Sequence, residues 1–140
     1  MAEHESALEW DFVTLASFMD ASAVVTAQPV TIHFEHEGHR RRYTPDFRVD
    51  SGDDHCDIVE IKCRADLRAG WLRFWPAFAA ARNWAHCNGA RFRIATERGI
   101  RCRQLDNAKR LLPLRARLSI RHWPNGPSHM PAHMRSALAI

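Results

Sequence analysis

The residues with the clearest chemical potential are an acid and, fourteen residues later, an acid–lysine pair: Pro45-Asp46 and Glu60-Ile61-Lys62. Both segments have the composition of β-strands. Residues i and i+2 of a strand project to the same face, so Glu60 and Lys62 point in the same direction. If the two strands pair across the turn at Asp53-Asp54, Asp46 comes close to both side chains.

Two carboxylates within a few ångströms form a hard oxygen site of the kind that Mg²⁺ prefers. A cation there activates water and polarises a phosphoryl oxygen, and a nearby lysine offsets phosphate charge. The pattern therefore indicates phosphodiester hydrolysis. The alternative is a turn residue, Asp46, and a weak exposed ion pair, Glu60 and Lys62. The apolar neighbours of Glu60 argue against a solvated edge, but the pattern is short and recurs by chance, so both interpretations stay open.

The composition describes one globular domain whose charge is divided along the chain. Of 140 residues, 46% are apolar and 26% charged, which excludes a disordered chain. Residues 1–60 hold 13 acids and 4 basic residues, whereas residues 61–140 hold 3 acids and 16 basic residues. Eighteen of the basic residues are Arg and only two are Lys. Because Arg contacts phosphate in bidentate fashion, the second half predicts a nucleic-acid partner; an arginine-rich coding bias is the alternative.

Several arginines are candidate phosphate contacts, although each is individually also an ordinary surface charge. They lie at a strand start and beyond the lysine, at Arg40, Arg41, Arg42, Arg64, Arg68 and Arg73. No apolar run has the roughly 20 residues of a membrane span, and the acidic N-terminus is unlike a signal peptide. The four cysteines form no C-x-x-C pair, which predicts reduced thiols and a cytoplasmic protein.

The hydrophobic periodicity predicts an α/β fold in the order α-β-β-β-α-β-α, with a mixed sheet flanked by helices. We expect residues 1–120 to form the core domain and the Pro-rich residues 121–140 to be a poorly ordered tail or a short helix. The predicted elements are a helix over 6–19, strands over 30–34, 41–49 and 57–62, a helix over 67–87 that kinks or restarts at Pro76, a strand over 91–96, and a helix over 104–112 ending before Pro113.

Five stretches, taken in order, are similar to one known family. They are Glu5–Phe12, Gln28-Pro29-Val30, Arg41–Phe47, Val59–Lys62 and Ala95–Ile100. The string resembles the PD-(D/E)XK nuclease superfamily and, more closely, the N-terminal catalytic domain of the TnsA transposon endonuclease family. The resemblance implies a restriction-endonuclease-like core.

The resemblance also implies a role for each residue of the site. Asp46 would be the central metal ligand, Glu60 the second strand ligand, Glu9 a further acidic metal-site residue, and Lys62 the catalytic lysine. Many TnsA-type sequences carry Gln at the position of Glu60. Ser6-x-x-Glu9 also fits a capping box, in which Glu9 would bond the backbone of Ser6, and Glu5 is the alternate acid.

The activity implied is a Mg²⁺-dependent DNA endonuclease, with Mn²⁺ as a substitute, leaving a 5′-phosphate and a 3′-hydroxyl. It would cut double-stranded DNA at the 5′ ends of a mobile element, beside a DDE-type transposase and an ATPase regulator. Longer family members carry a further C-terminal domain. A minimal member, a fragment, a phage, restriction or repair nuclease, a catalytically silent DNA-binding module and a protein-interaction subunit stay open as alternatives.

Two further sets of residues are weaker candidates. His33, His36 and His39 recur at three-residue spacing, but on a strand and turn this spacing does not converge on one face, so zinc binding is disfavoured. The five tryptophans are expected mainly in the core, and Trp10, opposite the apolar stripe of the first helix, is the one to test for a DNA contact.

Overall fold

The computed structural model describes residues 2–121, and the surroundings of individual side chains over residues 5–114. The chain forms a mixed α/β fold, as predicted. The elements are α1 (Ala2–Met19), β1 (Val24–Ala27), β2 (Ile32–His36), β3 (His39–Tyr43), β4 (Phe47–Asp50), β5 (Cys56–Ile61), α2 (Arg64–Cys87), β6 (Arg91–Ala95), α3 (Glu97–Ile100) and α4 (Arg103–Arg121). Within the described residues, no helix combines the length and the apolar character needed to cross a bilayer.

The main sheet has the strand order β1-β4-β5-β6, and β2 and β3 form a separate two-stranded hairpin. β5 runs antiparallel to β4 and parallel to β6, with α2 as the crossover between the parallel pair. The last four residues of β5, Ile58 to Ile61, are all buried. A central strand covered on both faces needs a continuous apolar run, and a charged residue inside that run, Glu60, is therefore exceptional.

One face of the sheet packs against α1. The buried cluster there consists of Leu8, Phe12, Phe47, Val49, Val59, Ile61 and Ile100. Phe12 stacks on Phe47 with the ring centres 5.6 Å apart. The predicted stripe of α1 is confirmed at Leu8 and Phe12, but Met19, the last residue of the helix, is 63% exposed.

The other face of the sheet packs against α2 through Phe78, Ala81 and Ala85, all of which are buried. The ring centre of Phe78 lies 5.7 Å from that of Phe92 on β6 and 6.1 Å from that of Tyr43 on the hairpin. Phe78 therefore joins the hairpin to the sheet.

The predicted strand over 41–49 is in fact two strands that belong to different sheets. The break falls at Thr44–Asp46, between β3 and β4. Pro45 lacks a backbone N–H and cannot continue a hydrogen-bonded ladder, which accounts for the break. The turn at Glu37-Gly38 is confirmed: both residues have positive φ, 51° and 74°, as a two-residue hairpin turn requires. The short, exposed strand β1 was not predicted.

Two predicted helix interruptions are wrong: α2 does not restart at Pro76, and α4 continues through Pro113 to Arg121 instead of ending before the proline. A kink at Pro76 stays a prediction. Packing of α2 against the sheet and of α4 against α1 outweighs the local cost of a proline. The C-terminal cap of α2 at Asn88 is confirmed, and α3 is an additional short helix. The prediction for the tail falls on residues 122–140, outside the described residues.

The buried carboxylate of Asp11 joins α1 to α4 and to Arg101. Asp11 on α1 accepts hydrogen bonds from Lys109 Nζ on α4, at 2.8 Å, and from Arg101 Nε, at 3.2 Å. Burial by itself would raise the pKa of Asp11, but the bonds from Lys109 and Arg101 outweigh it and lower the pKa below its usual value. Because α1 also carries acids that face the site, this ion cluster helps to hold them in place.

We expect Asp11→Asn to lower the free energy of unfolding by about 1–2 kcal/mol at pH 7, because it removes two charge-assisted hydrogen bonds. Urea unfolding measures the change. A group with a lowered pKa stabilises the fold above its unfolded pKa, so the difference from wild type should shrink as the pH falls below about 4. Asp106→Asn, at an exposed acid of α4, is the control and should change stability by less than about 0.5 kcal/mol. Equal effects of the two substitutions would contradict the prediction.

Candidate active site

The candidate site lies where β5 ends and β4 begins. Phe47 pairs with Val59 in the antiparallel register, which places Asp46 directly beside Glu60. The backbone N–H of Ile61 donates to Asp46 Oδ2 at 2.6 Å, and the backbone N–H of Gln28 donates to the Asp46 carbonyl at 2.8 Å. The carboxylate of Asp46 is therefore held against the strand that carries Glu60.

Lys62 is the residue that follows β5. Its backbone N–H donates to the carbonyl of Ala95 on β6 at 3.1 Å, which keeps the lysine in line with the sheet. The Lys62 ammonium donates to Glu5 Oε1 at 2.5 Å and lies 3.6 Å from Glu60 Oε1. The lysine thus connects the strand acid to α1.

Of Glu5 and Glu9 on α1, Glu5 is the one that touches the lysine. Glu9 lies one turn further along the same helix face, and burial, followed by the charges of Asp46 and Glu5, raises its pKa. The capping-box interpretation of Ser6-x-x-Glu9 is wrong, because α1 begins at Ala2 and Ser6 is already inside the helix.

Tyr43 belongs to the site and was missed from the sequence. Its hydroxyl donates a hydrogen bond to Glu60 Oε2, and its ring packs edge-on against Phe78. Burial, together with the negative charge of Glu60, holds the pKa of Tyr43 far above its usual value, so the hydroxyl remains a donor. The sequence feature that could have indicated this role is that Tyr43 is the single tyrosine of the chain and lies three residues before Asp46.

Glu97 is a second residue that the sequence did not single out for a role. Its Oε2 accepts the backbone N–H of Arg64 at 2.9 Å, at the first residue of α2. The N-cap residue itself, Cys63, makes no side-chain cap bond. Glu97 therefore supplies the missing cap and fixes the junction directly after Lys62.

The acids of the site repel one another. Burial raises the pKa of Glu60 to about 7, with the charge of Asp46 as the next cause. Burial likewise raises the pKa of Asp46, against the lowering effect of the Ile61 N–H bond. Burial would lower the pKa of Lys62, but its carboxylate partners more than compensate and raise it. The lysine is therefore charged, and its charge lowers the pKa of Glu9, Asp46 and Glu60 against the effect of burial.

The carboxylate oxygens of Asp46, Glu60 and Glu9 are donors of the kind that a hard divalent cation such as Mg²⁺ prefers. A bound cation would also neutralise part of their negative charge. Within the described residues, no three His, Cys, Asp or Glu side chains already stand in a metal-binding arrangement. That holds for the acids of the site and for the hairpin histidines alike. In this arrangement the Lys62 ammonium is the cation that the carboxylates share.

The predicted DNA-contact arginines fall into separate groups. Arg68 and Arg73 line a cavity of about 720 Å³ together with Glu5 and Lys62. Arg40 and Arg41 line a different cavity, on the hairpin, and Arg42 is exposed on the same strand. Arg64 uses its backbone to bond Glu97. Trp10 is 72% exposed on α1.

Comparison with protein families gives a match to part of the chain. The family described as "TnsA-like endonuclease N terminal" matches residues 24–97. The chain belongs to this family. The match runs from β1 to the first residue of α3 and includes Asp46, Glu60 and Lys62 of the TnsA-like domain, whereas Glu5 and Glu9 lie before it. No curated protein and no solved structure gives a significant match.

In metal-free buffer, Glu60→Gln should stabilise the TnsA-like domain at alkaline pH. The folded pKa of Glu60 is about 7, against 4.5 for an unperturbed Glu. Because the pKa of this acid is raised by folding, the free energy of unfolding of the wild type falls as the pH rises from 4.5 to about 7. Above that range the neutral amide of Gln should raise the free energy of unfolding by up to about 3 kcal/mol. Thermal melting in chelator at pH 8 and pH 5 measures the effect.

The gain should be present at pH 8 and nearly absent at pH 5. Glu35→Gln, at an exposed glutamate of the hairpin, is the control and should not change the melting temperature at either pH. A Glu60→Gln protein less stable than wild type at pH 8 would contradict the electrostatic account of the site.

Proposed function

We propose that the TnsA-like domain is a Mg²⁺-dependent DNA endonuclease that hydrolyses phosphodiester bonds, with Mn²⁺ as an alternative cation. The observation that supports this most is the excess of negative charge at the end of β5. Glu5 and Glu60 lie 2.5 Å and 3.6 Å from the Lys62 ammonium. The pKa values of Glu9, Asp46 and Glu60 are raised, first by burial and then by the charges of neighbouring carboxylates. A divalent cation relieves that repulsion, whereas an ordinary structural ion pair leaves it in place.

Asp46 and Glu60 are the residues that would hold the cation, with Glu9 as a further acidic contributor. When bound, it supplies Lewis acidity and lowers the pKa of water. Two neighbouring groups restrain these ligands before any substrate arrives. The Ile61 N–H fixes one oxygen of Asp46, and the hydroxyl of Tyr43 fixes one oxygen of Glu60.

The role of Lys62 is to hold the attacking water or to offset the charge that develops on the phosphate. Glu5 bonds the ammonium and keeps it protonated and directed toward the acids. A guanidinium is wider and planar, so it cannot replace the compact ammonium between Glu5 and Glu60. The products of such hydrolysis are a 5′-phosphate and a 3′-hydroxyl.

The biological reaction we propose is cleavage of double-stranded DNA at the 5′ ends of a mobile element during transposition. Family membership supports an endonuclease of this type. A DDE-type transposase that cuts the other strand and an ATPase regulator are the proposed partners, and the cytoplasm is the proposed location. The exposed arginines of α2 and of the hairpin agree with a polyanionic substrate.

Wild-type protein should nick supercoiled plasmid with Mg²⁺ or Mn²⁺, and Asp46→Ala and Lys62→Arg should each reduce the nicking rate at least about 100-fold. Asp46→Ala removes a proposed ligand, and Lys62→Arg keeps the charge but not the shape. The chain offers a matched control in its other lysine: Lys109→Arg, on α4, should nick at the wild-type rate. Conversion of supercoiled to open-circular DNA on agarose is the measurement. Nicking by Asp46→Ala or Lys62→Arg at the wild-type rate would overturn the site assignment.

Glu9→Ala should abolish most nicking while leaving the melting temperature within about 2 °C of wild type, because Glu9 is proposed to act on the cation and not as a helix cap. Ser6→Ala, which removes the hydroxyl of the discarded capping box, should change neither quantity. Nicking assays and thermal melting on the same preparations test both statements. A destabilised but active Glu9→Ala protein would assign Glu9 a structural role instead.

A further inference from the structure

The cavity of about 720 Å³ beside Lys62 has a wall of unusual composition. One side is formed by Glu5 and Lys62, and the other by the first turns of α2, residues 66 and 68–74. Two large apolar side chains of this wall face solvent: Trp71 is 42% exposed and Leu72 is 88% exposed. The Trp71 ring packs against the rings of Trp75, at 5.5 Å between centres, and Phe78, at 6.4 Å, and the rest of its surface is open to solvent.

Two cations lie near one aromatic ring in this cavity. The guanidinium carbon of Arg73 lies 4.8 Å from the centre of the Phe74 ring, and Lys62 Nζ lies 5.5 Å from the same centre. Arg68 precedes Leu72 by one helical turn, so it adds a third cation to the wall. The two acids of the cavity are Glu5, which is bonded to Lys62, and Asp66.

A glycine in α2 also determines the shape of this wall. Gly70 lies inside α2, where glycine costs about 1 kcal/mol relative to alanine. A Cβ at this position would lie 2.6 Å from Phe74 Cε2, so a side chain there would push the ring away. Gly70 therefore leaves the room that Phe74 occupies beside the two cations.

An exposed indole with cations around it is suited to a nucleotide, because a base stacks on the ring while the cations contact its phosphates. We propose that this cavity is a subsite for one nucleotide next to the scissile phosphate, with its base unstacked from the duplex and lying against Trp71. Arg68 and Arg73 contact the flanking phosphates. A base inside a continuous duplex offers no free face for stacking, so the preferred substrate is DNA that is locally unpaired beside the cut.

This inference rests on the proposed endonuclease function and specifies its substrate. The position of Lys62 favours DNA over a second copy of the chain or a protein partner. The occupant of the cavity contacts the same ammonium that is proposed to act on the phosphate, and a permanently docked protein there would close the site.

The test measures binding without cleavage. The 140-residue chain, in chelator, is titrated into a fluorescein-labelled single-stranded 12-mer and into the matching duplex, with anisotropy as the readout. Trp71→Ala should weaken single-strand binding about tenfold and duplex binding less than about threefold. Trp71→Phe, which keeps an aromatic face, should restore single-strand affinity to within about threefold. Trp84→Ala is the control, since Trp84 is on the same helix but does not line this cavity.

Loss of less than about twofold for Trp71→Ala, or equal losses for Trp71→Ala and Trp84→Ala, would overturn the subsite. A wild-type dimer that Trp71→Ala dissociates, with DNA affinity unchanged, would also overturn it and assign the face to self-association. Plasmid nicking separates the two proposals. If the wild-type protein nicks plasmid but Trp71→Ala does not change single-strand binding, the subsite alone is refuted. If Trp71→Ala weakens single-strand binding but the wild-type protein does not nick plasmid, the endonuclease proposal is refuted and the subsite is supported.

Discussion

The structure depends on the antiparallel register of β4 against β5. That register places Asp46 opposite Glu60 and lets the Ile61 N–H bond the Asp46 carboxylate. β5 itself is buried on both faces, so a slip of one residue would exchange Glu60 for an apolar neighbour and direct its charge into the α1 core. The apolar side chains on either side of Glu60 thus specify, through their packing, which side chains face the site. Stability and chemistry are determined here by the same few residues.

The acids of the site come from two strands and a helix, and each has its own restraint. Tyr43 holds Glu60, Ile61 holds Asp46, and Lys62 connects Glu60 to Glu5. Burial of mutually repelling carboxylates is unfavourable for the fold. Other contacts offset this cost, among them the cluster of Asp11 with Arg101 and Lys109, which anchors the helix that carries Glu5.

The sequence predicted the α/β class, the main helices and the central strand, because these follow from hydrophobic periodicity over long segments. It also identified Asp46, Glu60 and Lys62 as a set. The two-residue repeat of a strand and a short turn between neighbouring strands were enough to predict that these side chains lie close together. It named Glu5 only as the alternate acid, and it did not predict the contacts of Tyr43, Glu5 and Glu97, which span 17, 57 and 33 residues. Such contacts depend on tertiary packing that periodicity does not encode. The effects of the prolines were also predicted incorrectly. Pro45 divides a predicted strand, whereas α2 and α4 continue through Pro76 and Pro113.

The parallel pairing of β5 with β6 has a consequence for the order of events during synthesis. β5 leaves the ribosome long before its neighbour, and the cap that fixes the residue after Cys63 is Glu97. A chain that ends before Arg91 has no β6 to cover β5 and no acceptor for the Arg64 N–H. The site is therefore assembled only when most of the domain has been made, and a truncated nascent chain carries the acids and the lysine without their arrangement.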